Sequence, residues 1–184
     1  RKGDHVAVSG KNSPEWAVVY LATVFAGATI IPIDYGLHDP EIENLLRTAE
    51  PKLFFVDEEK FAHFSAFLGA GKVYSLNKAF PEVYAYNLKG GNFSKIVPPV
   101  EGDLAAIMFT SGTTGNPKGV MLTHRNLVSD CYVAQSNLYI DSNDVFYALL
   151  PIHHSYTMLA VFLEAIAVGA EVVFGKSMAV SRML

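Results

Sequence analysis

Basic residues, cysteine and low-complexity stretches are all scarce in this 184-residue chain. Lys and Arg total 14 against 18 Asp and Glu, a formal net charge of −4. No stretch interleaves basic with aromatic residues, so a nucleic-acid footprint is not expected. Cys131 is the only cysteine, which excludes an intrachain disulfide. In Leu127-Val-Ser-Asp-Cys-Tyr-Val it reads as a small buried residue on a helix rather than a reactive thiol, and it is compatible with a reducing compartment. Charged residues are only 17% of the chain and hydrophobic residues 51%. That balance excludes disorder and is enough for a sizeable core.

No secretory signal is expected from Arg1-Lys-Gly-Asp, which no apolar run with a cleavage site follows. A cytoplasmic location is expected, with peripheral membrane attachment left open for the full-length protein. The long uncharged run Trp16–Ile33 passes a length test for a membrane span, but its texture changes midway. Ser13-Pro14 has the form of an N-cap followed by proline at the first helical position, and Gly27 that of a stop. Thr29-Ile-Ile-Pro-Ile is β-branched and ends at Asp34. A helix followed by a buried strand is expected there, not a transmembrane segment.

The remaining punctuation predicts alternation. Strands are expected at His5–Ser9, Thr29–Ile33, Lys52–Asp57 and Val73–Leu76. Helices are expected from Pro14 to about Ala26, from the Asp39 cap to about Ala49, and at Glu58–Leu68. A Gly- and Pro-rich linker spans 89–102. Beyond it, Leu104–Phe109 is apolar on both faces, predicting a central strand. Val120-Met-Leu is a short extended piece, and Thr123 caps a helix to about Asn137. Then come a strand at Asp144–Leu150, a helix at Tyr156–Val168, a strand at Ala170–Phe174 and the opening of a helix at Ser181. Parallel pairing through right-handed crossovers follows from this order. The expected fold is α/β, a three-layer α/β/α sandwich with a mostly parallel sheet: 1–88 as a first α/β part, 89–102 as linker and 103–184 as a second part.

The informative segment is Ile107-Met-Phe-Thr-Ser-Gly-Thr-Thr-Gly-Asn-Pro-Lys-Gly-Val. It leaves a strand at its C-terminal end, where open α/β sheets take ligands. Gly112, Gly115 and Gly119 allow positive φ and close approach of backbone to ligand. Thr110, Ser111, Thr113 and Thr114 add hydroxyls to the backbone N–H donors, which suits phosphate oxygens. Lys118 adds a positive charge and Pro117 restrains the turn that presents it. A flexible Ser/Gly/Thr linker is the plain alternative, but a linker has no reason to start at a buried strand and hold Pro-Lys-Gly before another apolar run. A Walker A loop fits poorly: Gly does not precede Lys118 directly, and no Ser or Thr follows it to hold Mg²⁺.

Thr110-Ser-Gly-Thr-Thr-Gly-Asn-Pro-Lys-Gly-Val resembles the signature phosphate loop of the adenylate-forming superfamily, which includes acyl- and aryl-CoA ligases, peptide-synthetase adenylation domains and luciferases. Gly3-Asp-His-Val-Ala-Val, Asn12-Ser-Pro-Glu-Trp, Gly27-Ala-Thr-Ile-Ile-Pro-Ile-Asp and Leu122-Thr-His-Arg-Asn-Leu are similar to the same superfamily's large N-terminal domain. The resemblance implies activation of a carboxylate by MgATP to an acyl-adenylate and pyrophosphate, then transfer to coenzyme A. It implies that Thr110, Ser111, Gly112, Thr113, Thr114, Gly115 and Lys118 hold the ATP phosphates. It also implies that the adenine pocket, the acidic Mg²⁺ ligand, the ribose-binding Asp and the C-terminal-domain lysine lie beyond Leu184. No catalytic residue is therefore assigned within the chain, the C-terminal domain is expected to lie outside it, and the isolated 184 residues are expected to turn over little or not at all.

Leu149-Leu-Pro-Ile-His-His-Ser-Tyr follows a strand at its C-terminal end. A metal shared by His153 and His154 is not expected, since neighbours on extended backbone point to opposite sides and no acidic or Cys ligand stands at usual spacing. Hydrogen-bonded loop histidines are the plain reading. The segment resembles the Leu-Pro-x-x-His stretch lining the family's acyl pocket, which would place His154, with His153 and Tyr156, on that pocket. The His-His-Ser-Tyr form is most like long-chain fatty-acid–CoA ligases. An aryl- or amino-acid adenylation domain and a non-catalytic nucleotide-binding module are the alternatives. His124 and Arg125 read as helix-capping residues, Trp16 as a core anchor, and His5, His38 and His63 have no partner that sequence can name.

Overall fold

The computed structural model describes residues 1–89, 97–110 and 117–175. Four parallel strands open the chain: β1 (His5–Ser9), β2 (Thr29–Pro32), β3 (Leu53–Val56) and β4 (Val73–Ser75). With β5 (Leu104–Thr110) and β6 (Lys118–Thr123) they form one sheet in the order β4-β3-β1-β2-β5-β6.

Period-two alternation explains how this sheet is covered on both sides. Val6, Val8, Ile30 and Phe55 face one apolar cluster, together with Trp16 and Tyr20 of α1 (Pro14–Phe25). Ala7, Ile31, Phe54 and Val56 face the other, with Ile42, Leu45 and Leu46 of α2 (Asp39–Ala49) and Phe64 of α3 (Glu58–Leu68). The handedness of the crossovers puts the helices there. The step from β1 to β2 runs one way along the sheet, while those from β2 to β3 and β3 to β4 run the other way. Right-handed connections therefore lay α1 on one face and α2 and α3 on the opposite one.

The helix ends follow local chemistry. Ser13 Oγ accepts from the Trp16 N–H at 3.2 Å, Pro14 opens α1, and Gly27 takes φ +71° just past its end. Trp16 is fully buried and stacks on Tyr20 at 5.5 Å, as an anchor should. For α2 the expected cap is displaced by one residue. His38 is the N-cap, and its N–H donates to the Glu41 carboxylate at 2.9 Å. Asp39 lies inside the first turn and pairs with Lys60.

After the linker the expected order changes in two ways. Strand β5 pairs in parallel with β2 but antiparallel with β6, so the piece after the loop is the second arm of a hairpin. Among the described strands β5 sits next to the β6 edge, and β1 and β2 hold the middle. Its two apolar faces arise because Met108 packs toward one cluster and Ile107 and Phe109 toward the other. The second change is a separate two-stranded parallel sheet of β7 (Val145–Ala148) and β8 (Glu171–Phe174).

Helix α4 (His124–Asn137) starts at the expected cap, with Thr123 Oγ1 accepting from the Asn126 N–H at 3.2 Å. Between β7 and β8 the backbone is helical from Ser155 to Val168, but not uniformly so. α5 (Ser155–Thr157) passes into a π-helical stretch (Met158–Leu163) and then α6 (Glu164–Val168). Met158 and Phe162 of the π stretch reach the Trp16 cluster, Phe162 meeting Trp16 edge-on at 6.2 Å. Cys131 is buried on α4, and burial, reinforced by Glu164, pushes its thiol up to about 11. That is the environment of an inert thiol. Among the described residues no helix is long and apolar enough to cross a membrane. Part of the expected linker (90–96) and the helix expected at Ser181 lie outside the described residues.

Candidate functional site: the cleft at the ends of β2 and β5

Strands β2 and β5 point the same way, and their C-terminal ends open onto one cleft of about 810 Å³. Ile33 and Asp34 enter it from the end of β2, and Leu37, Glu41, Asn44 and Leu45 come from α2 and the turn before it. Met108, Phe109 and Thr110 of β5 form another wall, with Pro117, Val120 and Leu122 of the returning hairpin arm. His153, His154, Ser155 and Leu159 close the remaining side. The walls are mostly apolar, with polar groups gathered at Asp34, Thr110 and the histidines, a common form for a small-molecule site.

The hairpin fixes both roots of the Ser/Thr/Gly loop. Thr110 stands opposite Lys118 in the β5–β6 register, and the Thr110 hydroxyl donates to the Lys118 carbonyl at 3.5 Å. Lys118 is thus the first residue of β6, and its side chain is exposed. Gly119 does not take a positive φ, so that part of the expectation does not hold. A Cβ at this position would sit 2.6 Å from Ile107 Cγ2, and close packing is what requires glycine. Ser111, Gly112, Thr113, Thr114 and Gly115 lie outside the described residues.

The histidine side is positioned from the first half of the chain. Asn12 Nδ2 donates to the carbonyls of Ala148 and Leu150, and Asn12 Oδ1 accepts from the Ile152 N–H, each at 2.8 Å. The chain then turns, with the His154 N–H bonding back to the Pro151 carbonyl at 3.1 Å. This corrects the geometry expected for the pair. Because the backbone turns here, alternation does not apply, and the two rings lie together with centroids 4.3 Å apart. An acidic group also joins them, from far away in sequence: Asp34 Oδ1 is 3.4 Å from His153 Nε2.

His153 is 6% exposed, and neither ring nitrogen has a hydrogen-bond partner. Burial pushes its imidazole down to about 4, against the upward pull of Asp34, and His154 adds to the fall. The ring is neutral near neutral pH. Tyr156 is 68% exposed and is not among the lining residues, so the structure brings His153 and His154 to the cleft without it. Arg125 pairs with Glu101 at 2.9 Å and both it and His124 bond through their backbone N–H groups to the Glu101–Asp103 turn, a capping arrangement away from the cleft. Sequence reasoning missed Asp34 and Asn12 as site residues. The available signal was Asp34's place at the C-terminal end of a buried strand.

Comparison with known proteins agrees with this layout. Residues 1–183 match the AMP-binding enzyme family. A 4-coumarate–CoA ligase of Humulus lupulus is 30% identical over 201 residues, covering all of this chain and 36% of that protein. The long-chain-fatty-acid–CoA ligase 1 of Cavia porcellus is 29% identical over 180 residues, covering 84% of this chain and 26% of the relative. The crystal structure of ATP-bound MatB from Rhodopseudomonas palustris superposes with a TM-score of 0.80 at 30% identity, over 96% of this chain and 36% of that one. The chain therefore spans about a third of these proteins or less, and its α/β sheet matches the N-terminal domain of adenylate-forming enzymes. On the motif, the fold and a match over nearly every residue, the chain belongs to the AMP-binding enzyme family of adenylate-forming ligases.

Proposed function

We propose that the protein carrying this chain activates a carboxylic acid with MgATP and passes the acyl group to coenzyme A, and that the acid is a fatty acid. The supporting observation is the contiguity of two kinds of surface in one cleft. Thr110 and Lys118 stand at the roots of the hydroxyl- and glycine-rich loop, next to apolar walls that include Leu45, Phe109, Leu122 and Leu159. A phosphate end and an apolar acid would lie side by side.

In the first step a carboxylate oxygen attacks the α-phosphorus, and the bond from that phosphorus to the oxygen bridging to the β-phosphate breaks. Acyl-adenylate and pyrophosphate result. Charge grows on the departing pyrophosphate, so fixed hydroxyl and N–H donors and the Lys118 ammonium lower the barrier most if they grip that group. Thr110, Ser111, Gly112, Thr113, Thr114, Gly115 and Lys118 are assigned to that grip. His153 and His154 are assigned to the acid's side of the cleft. Magnesium would enter with the nucleotide. It takes oxygen ligands, and the two imidazoles are a poor fit to it, so none of these residues is assigned to Mg²⁺. In the second step the thiol of coenzyme A attacks the acyl carbon and AMP leaves.

ATP–pyrophosphate exchange on the longest natural form of the protein, run with fatty, aryl and amino acids, tests the reading. Exchange dependent on a fatty acid supports it. The 30% identity to a coumarate ligase favours an aryl acid as the second reading, and exchange with that class would select it. Binding of ATP without exchange for any acid would overturn both.

A further inference from the structure

Asp34, His153 and His154 make no use of their grouping in the reaction above. Each offers one ligand atom, and the three atoms lie within 4.8 Å of one another. The Asp34–His153 separation is compatible with a shared ion. Ligand bonds of about 2.0–2.2 Å at a tetrahedral angle hold neighbouring donor atoms roughly 3.4 Å apart, and Asp34 Oδ1 and His153 Nε2 are separated by 3.4 Å. His154 is exposed at the rim, its ring 4.3 Å from that of His153. Its ligand atom lies within 4.8 Å of those of the other two residues.

A second, independent observation points to a ligand. His153 is buried, yet both its ring nitrogens lack a hydrogen-bond partner. Buried polar atoms are ordinarily satisfied, and leaving one unpaired is costly. A bond from Nε2 to a cation satisfies that atom and engages the nearby Asp34 carboxylate at the same time.

We infer that Asp34, His153 and His154 form a binding site for a borderline divalent ion of the Zn²⁺ class, with one coordination position open to the cleft. Two imidazoles and a carboxylate suit zinc and disfavour Mg²⁺ or Ca²⁺, which take oxygens. Three protein ligands leave the fourth tetrahedral position to water or to an oxygen of a cleft-bound molecule. The site joins the end of β2 to the turn before α5, so an occupying ion would also tie the two parts of the chain together.

The test is calorimetric titration of the purified protein with Zn²⁺, after chelator stripping, with neither acid nor nucleotide present. It reads metal alone and so stands apart from the exchange assay. One saturable ion per chain is expected. Asp34→Asn, which keeps shape and removes charge, and His153→Gln should each weaken it by roughly tenfold or more, while His63→Ala, at an exposed histidine paired with Glu43, should leave it unchanged. Co²⁺ in place of Zn²⁺ should give the intense visible bands of a tetrahedral site, lost in Asp34→Asn. Absence of saturable binding, or affinity that survives both Asp34→Asn and His153→Gln, would overturn the site.

Discussion

Asn12 Oδ1 accepts a hydrogen bond from the Ile152 N–H at 2.8 Å, joining the turn before α1 to the turn that carries both histidines. With the two bonds from Nδ2 to Ala148 and Leu150, one side chain satisfies three backbone groups where β7 ends. Asn12→Ala strips all three partners at once. A loss of about 1–3 kcal/mol is expected from unpaired polar groups, read as a lower urea midpoint. Asn12→Asp keeps the acceptor for Ile152 but sets a carboxylate oxygen against two carbonyls, so it should not rescue. An unchanged midpoint in both variants would mean water replaces the side chain and the clamp is dispensable.

Lys118 begins β6, where the backbone, not the side chain, makes the pairing with Thr110. Exposed side chains away from caps and cores usually change stability by less than about 0.5 kcal/mol. Lys118→Ala should therefore leave the circular dichroism spectrum and the midpoint intact. Under the proposed function, pyrophosphate exchange by the longest natural form should fall by roughly a hundredfold, the scale seen when one stabiliser of developing charge is removed. A misfolded variant would assign Lys118 to structure instead of the reaction.

The contrast between these two residues shows what sequence discloses. The β1–α1–β2 unit is legible because its signals are local: Ser13-Pro14 opens the helix, Gly27 ends it, and Thr29-Ile-Ile carries the strand. The phosphate loop is legible because hydroxyls, glycines and a lysine are adjacent in the chain. Asp34 and His153 meet only through the fold, and no spacing rule connects them. The hairpin was hidden because Lys118 belongs by composition to the loop and by hydrogen bonding to the strand. The π stretch at Met158–Leu163 leaves no compositional mark, since an apolar run reads alike with or without the extra residue in its turn. The turn at Pro151–His154 defeats the alternation that kept the two histidines apart.

One buried and one half-buried imidazole, His153 and His124, predict an acid-sensitive fold. Burial lowers the affinity of His124 for its proton, opposed by Asp103, and pushes His153 down to about 4. In the unfolded chain both titrate near about 6.5. Below that value the unfolded state binds more protons, so stability falls as pH falls, and the His153 share is complete at about 4. That share is on the order of 3 kcal/mol. Asp57 acts in the opposite sense, because burial raises its carboxyl. Urea midpoints measured in the presence of chelator should decline from about pH 6.5 downward, and His153→Gln should flatten the decline. A flat profile in the parent protein would show that His153 is open to water in solution.

Gly119 makes the sharpest claim about packing. A side chain there would not be strained by its backbone angle, which is not positive, but by Ile107 Cγ2 at 2.6 Å and Phe109 Cε1 at 3.5 Å. The branch carbon of Ile107 is held close to its own backbone, so it cannot swing aside as the end of a lysine could. Gly119→Ala should cost about 1–3 kcal/mol, the usual scale of overpacking. It should also shift the hairpin arm that sets Thr110 against Lys118, so under the proposed function pyrophosphate exchange by the longest natural form should drop along with stability. Ile107→Ala removes the obstructing carbon, and in that background Gly119→Ala should be far milder. A double-mutant cycle measures this directly, with a favourable coupling of about 1 kcal/mol or more expected for residues in contact. Additive effects would mean that Gly119 is required by something other than Ile107, and the explanation from close packing would have to be given up.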